Sequence, residues 1–154
     1  MKVLAFSDSH GNRSVLSHAV ALEMPGLILH LGDHDGDCSL VEREFPEIPL
    51  RSVRGNCDYS SAGLDVDEFT FGGKRFFMAH GHLYNVKIGF SSIINAAARR
   101  GADVLLFGHT HVPYYSVIGS VSVINPGSIA IGSKTYAVLE FKDGDISCEI
   151  KKSM

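Results

Sequence analysis

The 154-residue chain has no tryptophan, three cysteines and five prolines, and only 20% of its residues are charged. Cys38, Cys57 and Cys148 form no C-x-x-C pair. That spacing excludes a zinc ribbon and leaves reduced thiols in a cytosolic protein as the expectation. No apolar run approaches the roughly 20 residues that cross a bilayer. The N-terminal stretch MKVLAFSDSHGN turns polar at Ser7, so it carries no signal-peptide core and no lipidation motif. A cytoplasmic protein without a membrane partner is expected. Basic residues are scarce as well: 14 Lys and Arg against 17 Asp and Glu give a net charge of −3, which supplies no footprint for duplex nucleic acid. No repeat, linker or low-complexity run divides the chain. Its length fits one domain, predicted to span 1–154. With 45% apolar residues such a chain can bury roughly 70% of its unfolded surface.

Against these shortages stand eight histidines and sixteen glycines, and their positions follow a pattern. Short, continuously apolar runs read as strands covered on both faces: Val3–Phe6, Leu27–Leu31, Arg51–Val53, Arg75–Ala79 and Val104–Phe107. One helix is predicted from an N-cap at Asn12 to the stop at Pro25-Gly26, and a second over Val86–Arg100 with Gly101 at C′. A weaker helix is expected over Ser39–Glu44. The last third reads as a meander of short strands, Tyr114–Ile118, Val121–Ile124, Thr135–Phe141 and Ile146–Ile150, with Gly119-Ser120 and Asp143-Gly144 as turns.

Each early run ends in residues able to bind a metal. Val3–Phe6 leads to Asp8 and His10, Leu27–Leu31 to Asp33, and Arg51–Val53 to Asn56. Arg75–Ala79 leads to His80, and Val104–Phe107 to His109 and His111. Ligands of α/β sheets sit at the carboxyl ends of strands, so these seven groups are expected at one edge. Carboxylate and amide oxygens with imidazoles suit Mn, Fe or Zn, and the lack of thiolates argues against a structural zinc cage. Seven candidates exceed one tetrahedral ion and fit two, about 3.5–4 Å apart with a shared carboxylate. The spacing in Asp8-x-His10 and His109-x-His111 would point each pair one way if the segments are extended. A glycine before Asp33, Asn56 and His109 allows close backbone approach.

The motifs Asp8-Ser9-His10, Gly32-Asp33, Gly55-Asn56-Cys57-Asp58, His80-Gly81-His82 and Gly108-His109-Thr110-His111, in this order, resemble the calcineurin-like metallophosphoesterases. The GNCD form and the later Asn125-Pro126-Gly127-Ser128 segment resemble their small bacterial and archaeal phosphodiesterase branch, over nearly the whole chain. The resemblance implies a four-layer α/β/β/α sandwich of two mixed sheets flanked by helices. It also implies that Asp8, His10, Asp33 and His111 hold one divalent ion and that Asp33, Asn56, His80 and His109 hold another, with Asp33 shared. Manganese is favoured, with nickel, iron, zinc and magnesium as alternatives. Two such ions against two carboxylates leave a surplus of about +2 that favours an anionic ester. The expected reaction is hydrolysis of a small-molecule phosphodiester, with a metal-bridging hydroxide attacking phosphorus in line with the leaving oxygen.

Most members of the broad family carry histidine where this chain has Cys57, and that histidine is assigned to protonating the leaving group. A thiol with a pKa near 8.5 is a poor substitute, which predicts diesters with good leaving groups over alkyl monoesters. Cys57, Asp58 and His82 are candidate pocket residues. Asp58 is open between bonding near the site and a turn role, and His82 between touching substrate and supporting His80. His18 reads as a surface residue, His30 as packing behind the ligands, and the loop His34-Asp35-Gly36-Asp37 as a solvated acidic segment with His34 near the pocket mouth. Asn125–Ser128 is expected to buttress the site. The alternative function is a non-catalytic interaction module of the same fold, like a retromer subunit. Such a scaffold departs from the full ligand set, whereas all seven positions here keep ligand-competent side chains. The chain could also form a homo-oligomer.

Overall fold

The computed structural model describes residues 1–154. In chain order its elements are β1 (Lys2–Phe6), α1 (Arg13–Glu23), β2 (Leu27–His30), α2 (Cys38–Glu44), β3 (Leu50–Ser52), β4 (Val66–Phe71), β5 (Lys74–Ala79), α3 (Ser91–Arg99), β6 (Val104–Leu106), β7 (Tyr114–Ile118), β8 (Val121–Asn125), β9 (Thr135–Lys142) and β10 (Asp145–Lys152). Short 3-10 turns occupy Asp35–Asp37 and His82–Tyr84. One five-stranded sheet has the order β10-β9-β1-β2-β3 and the other β4-β5-β6-β8-β7. Both are mixed: β1, β2 and β3 run parallel while β9 and β10 join antiparallel, and β5, β6 and β8 run parallel between antiparallel β4 and β7.

Alternation of side chains across each strand builds four layers. Val3 and Ala5 of β1 face inward with Phe76, Met78, Val104 and Leu106 of the second sheet, forming the core between the sheets. Leu4 and Phe6 face outward onto Leu16, Ala19 and Val20 of α1 and Val41 of α2. Phe77, Leu105 and Phe107 face the other way, onto Ile93 and Ala97 of α3. This is the α/β/β/α sandwich, and double coverage explains why the strands read as unbroken apolar runs. No helix is long and apolar enough to cross a membrane.

Four expectations need correction. The last third is not one meander. Hairpin β7–β8 belongs to the second sheet and hairpin β9–β10 to the first, and the chain crosses between them through Pro126–Lys134. Strand β4 was absent from the apolar pattern because Asp67 and Glu68 interrupt it. It is an edge strand whose Phe69 stacks on Phe76 at 4.9 Å, while buried Asp67 takes a two-pronged hydrogen bond from Arg51 of β3 (2.7 and 3.0 Å) that closes the sandwich edge. Helix α3 begins at Ser91, not Val86, because Val86–Ile88 form a separate turn closed by the Ile88 and Gly89 N–H groups on the Asn85 carbonyl. Val86 and Phe90 still pack on α3's core, from a loop. Asn12 precedes α1 as expected but makes no side-chain capping bond.

At the end of α1, buried Glu23 accepts hydrogen bonds from Lys2 (3.1 Å), Lys151 (2.9 Å) and the Tyr136 hydroxyl (3.1 Å), tying the helix to β1, β9 and β10. Burial opposes the Glu23 charge, but Lys151, Lys2 and Tyr136 outweigh it and lower its pKa below 4.5. A carboxyl lowered in this way stabilises the fold above its unfolded pKa and loses that contribution as pH falls through the folded value. Glu23→Gln is therefore expected to cost about 1–3 kcal/mol in urea unfolding at pH 7. Its gap to the unsubstituted protein should close well below pH 4.5.

Candidate metal centre

The strand ends deliver the seven candidate ligands to one edge of the sandwich. Asp8 and His10 follow β1, Asp33 follows β2, Asn56 follows β3, His80 follows β5, and His109 and His111 follow β6. Ligand-capable atoms of Asp8, His10 and His111 lie within 4.8 Å of one another, and so do those of Asp33, His80 and His109. Asn56 joins the second group through its side-chain oxygen, 3.1 Å from His80 Nε2. Asp8, Asp33 and His80 are buried.

The extended backbone on which that alternation was conditional is not present. Asp8 (φ 55°), His10 (45°), Asp33 (59°), His109 (69°) and His111 (60°) all adopt the left-handed backbone conformation, which costs an L-residue roughly 1–3 kcal/mol where it is imposed. The side chains of Asp8 and His10 converge through this turn geometry, whereas His109 and His111 turn to different clusters. The three glycines before Asp33, Asn56 and His109 act through close approach. A Cβ on Gly108 would collide with the Ser7 hydroxyl and the Asp8 carboxylate, and one on Gly55 would collide with Asp33.

Three braces hold the strained loops. Asp58 accepts four backbone N–H bonds, from Asp33 (2.9 Å), His34 (2.7 Å), Asp35 (3.1 Å) and Gly55 (2.7 Å), so it joins the loop after β2 to the loop after β3. Ser128 donates its hydroxyl to the Asp8 carbonyl (2.8 Å), and the Asn125 amide donates to the Gly108 carbonyl and the Thr110 hydroxyl (3.0 Å each). Asn125–Ser128 thus supports both halves of the first cluster. The third brace escaped the sequence reading. The Gly32 N–H donates to His30 Nδ1 (3.2 Å), which leaves the hydrogen on Nε2 for Ser9 Oγ (2.9 Å). The Ser9 hydroxyl in turn donates to Asp37 (2.7 Å). Burial lowers the His30 pKa against the pull of Asp37, which fits the neutral ring this chain requires. Asp37 is 3% exposed and also accepts from the Gly11 N–H and Arg13, so it is no solvated loop residue. Only its place in an Asp/Gly-rich turn was visible in the sequence, and that pattern also fits a surface loop.

The electrostatics around His80 decide what the cluster can hold. His80 Nδ1 donates to the Leu31 carbonyl at 2.7 Å. A neutral His80 then presents the lone pair of Nε2 to the Asn56 side-chain oxygen (3.1 Å), His109 Nδ1 (3.1 Å), Asp33 Oδ1 (3.5 Å) and Asp8 Oδ1 (3.8 Å). The Asn56 oxygen and the two carboxylates are electron-pair donors, and His109 Nδ1 is one when its ring hydrogen sits on Nε2, so the arrangement fits a positive centre, either a second proton on His80 or a metal ion. Burial opposes a second proton on His80, yet Asp33 and Asp8 outweigh it and raise its pKa. Burial also opposes the Asp33 charge, and the His80 ring with the Cys57 N–H (2.9 Å) outweighs it, holding Asp33 well below the ordinary carboxylate range. Burial, then His80 and Lys87, push His109 down to about 4, leaving it a neutral donor. In the first cluster His111 Nε2 is 3.0 Å and His10 Nε2 4.0 Å from Asp8 Oδ1, and the buried His10 Nε2 has no hydrogen-bond partner. Neutral imidazoles, carboxylates and an orphaned ring nitrogen fit divalent cations. The atom within 4.0 Å of imidazoles from both clusters is Asp8 Oδ1. The imidazole paired with Asp33 is that of His80.

The other candidates sit around this centre. Cys57 is half-buried, and burial followed by Asp33 raises its thiol pKa. His82 is half-buried with its ring 5.4 Å from that of His80; burial, then His80, lower its pKa. His34 packs on His10 with ring centroids 5.0 Å apart and, with Arg13, Cys57 and Tyr59, lines a cavity of about 430 Å³. His18 is exposed on α1.

Residues 1–144 match the family model of the calcineurin-like phosphoesterase superfamily domain. The chain belongs to that superfamily. It is 32% identical over 153 residues, covering 93% of this chain and 86% of the other, to the probable metallophosphoesterase YsnB of Bacillus subtilis. It is 26% identical over 161 residues, covering 91% and 93%, to the phosphodiesterase MJ0936 of Methanocaldococcus jannaschii. Among solved structures, a Streptococcus pneumoniae protein described as a predicted phosphoesterase superposes with a TM-score of 0.82 at 23% identity, covering 98% of this chain and 88% of that one. Wild-type Vps29 of Entamoeba histolytica in complex with Zn²⁺ gives a TM-score of 0.75 at 19% identity, covering 98% of each chain. These likenesses agree on the fold, and the family's fold implies divalent metal ions.

Because Asp58 carries four N–H donors on two oxygens, Asp58→Asn would set an amide NH₂ against backbone N–H groups and loosen both loops. Mn(II) affinity measured by titration calorimetry is expected to fall about 10–100-fold, as for groups that orient metal ligands, with an unchanged far-ultraviolet circular dichroism spectrum. Unaltered affinity would remove Asp58 from this role.

Proposed function

We propose that the chain is a phosphodiesterase that hydrolyses a small-molecule diester with two divalent ions. Asp8, His10 and His111 would hold one and Asp33, Asn56, His80 and His109 the other, with Asp33 the carboxylate that the family resemblance makes common to both. Manganese is the favoured metal, and nickel, iron, zinc and magnesium suit the same donors. The observation that carries this reading is the crowd of electron-pair donors facing His80 Nε2 while its other nitrogen is committed to Leu31. When bound, such ions lower the pKa of water and draw charge from phosphoryl oxygens.

The chain's own residues supply position and protonation state. Leu31 fixes the His80 tautomer, and Asp33 stays ionised across the neutral range. In the overall reaction the water oxygen bonds to phosphorus, the ester P–O bond breaks with its electron pair going to the leaving oxygen, and the proton released from water goes to solvent. No serine or cysteine nucleophile is needed. Neither candidate pocket residue replaces the family's histidine as an acid: burial and Asp33 raise the Cys57 thiol, and burial and His80 lower His82. A leaving oxygen without that acid departs as an anion, which favours aryl and other acidic alcohols.

With Mn(II), the protein is expected to hydrolyse an aryl phosphodiester readily. An alkyl phosphomonoester should be slower by about 10²-fold or more, the factor a general acid supplies. Chelation should abolish turnover and Mn(II) restore it. His80→Gln and Asp33→Asn should each lose turnover while retaining their circular dichroism spectrum. Absence of any hydrolysis with bound metal would favour the interaction-module alternative.

A further inference from the structure

Beside the ligand loop lies a groove of about 460 Å³, formed by the loop Val86–Phe90 and the segment Thr110–Tyr114. It shares no lining residue with the cavity beside Cys57, and its chemistry is different. The Cys57 cavity is walled by Asp35, Asp37 and Asp58 with Arg13 and His34. The groove has one charged wall residue, Lys87, and is otherwise mostly apolar. Phe90 forms a rigid part of it, packed edge-on against Phe107 (4.8 Å) and Tyr114 (5.0 Å). Ile88 is 90% exposed and Val112 63% exposed. Ile88 is displayed by a closed turn, with its N–H and that of Gly89 both donating to the Asn85 carbonyl (2.9 and 3.3 Å).

The groove adjoins the candidate metal centre through Thr110. Thr110 lies between His109 and His111, and its hydroxyl is engaged with Asn125 and Val112, which locks the wall to the ligand loop. A large aliphatic side chain left open to water next to a reaction centre gains about 25 cal/mol for each Å² that a bound apolar group covers. A volume of this size falls within the range of small-molecule sites.

We propose that this groove seats an apolar, aryl-sized arm of the phosphodiester, the arm that stays on phosphorus, while Lys87 attracts the phosphate charge. The assignment rests on the phosphodiesterase reading above. The choice of arm follows from the walls, mostly apolar in this groove and polar in the Cys57 cavity. An oxygen that takes on negative charge as it leaves is better placed toward water than against apolar walls.

Two esters with the same leaving group test the proposal: 4-nitrophenyl phenyl phosphate and 4-nitrophenyl methyl phosphate, each with the Mn(II)-loaded full chain. The unsubstituted protein is expected to prefer the phenyl ester in kcat/KM by about tenfold or more, the discrimination a small apolar contact supplies. Ile88→Ser and Val112→Ser should each pull the preference toward unity, and Ile88→Leu should keep it. Lys87→Gln should lower kcat/KM for both esters and leave their ratio unchanged. A ratio near unity in the unsubstituted protein, or a ratio untouched by both serine variants, would overturn the arm site alone and leave the groove as a surface for a protein partner. Hydrolysis of neither ester would overturn the phosphodiesterase reading together with it.

Discussion

Around His80 Nε2 the protein concentrates groups able to donate an electron pair: the Asn56 oxygen, the carboxylates of Asp33 and Asp8 and, with its ring hydrogen on Nε2, His109 Nδ1, all 3.1–3.8 Å away. A neutral His80 has committed its one ring proton to Leu31 and offers these groups none, so they favour a second proton on the ring or a metal ion among them. Held in a buried pocket, these groups would repel one another in the absence of a positive partner. Much of the surrounding chain is arranged to keep them from moving apart.

The arrangement works at two scales. Double coverage of both sheets makes the strands rigid, and the strand ends aim the loops at one edge. Within those loops, five of the seven candidate ligands take left-handed backbone conformations, which persist only where the surroundings impose them. Asp58, the Asn125–Ser128 link and the His30–Ser9–Asp37 chain impose them here, each by joining segments far apart in sequence. The crossing between the two sheets is thus also a support for the site. The ordering of the braces, and not the ligand identities alone, makes the geometry specific.

Much of this was legible in the residues. Apolar runs ending in Asp, Asn and His marked the strand ends and the candidate ligands that the fold brings to one edge, because burial on both faces and placement at strand termini leave direct marks in composition. Strand β4 left a weaker mark: one face of an edge strand is solvated, so Asp67 and Glu68 broke the pattern although Asp67 is buried against Arg51. Whether Asp8-x-His10 is extended was not readable, because the left-handed backbone at these non-glycine residues is set by tertiary bonds that no local spacing encodes. Asp37 was misread for the same reason, since its burial depends on Ser9, Gly11 and Arg13 reaching it across the fold. The hairpins were readable from their turns, but which sheet each joins is a matter of long-range pairing.

Anomalous diffraction at the manganese edge, on crystals grown with Mn(II), tests the central claim most directly. The account predicts two peaks in each molecule, one against Asp8, His10 and His111 and one against Asp33, Asn56, His80 and His109. A map with no peak there, and with His80 Nε2 still 3.1 Å from His109 Nδ1, would contradict it.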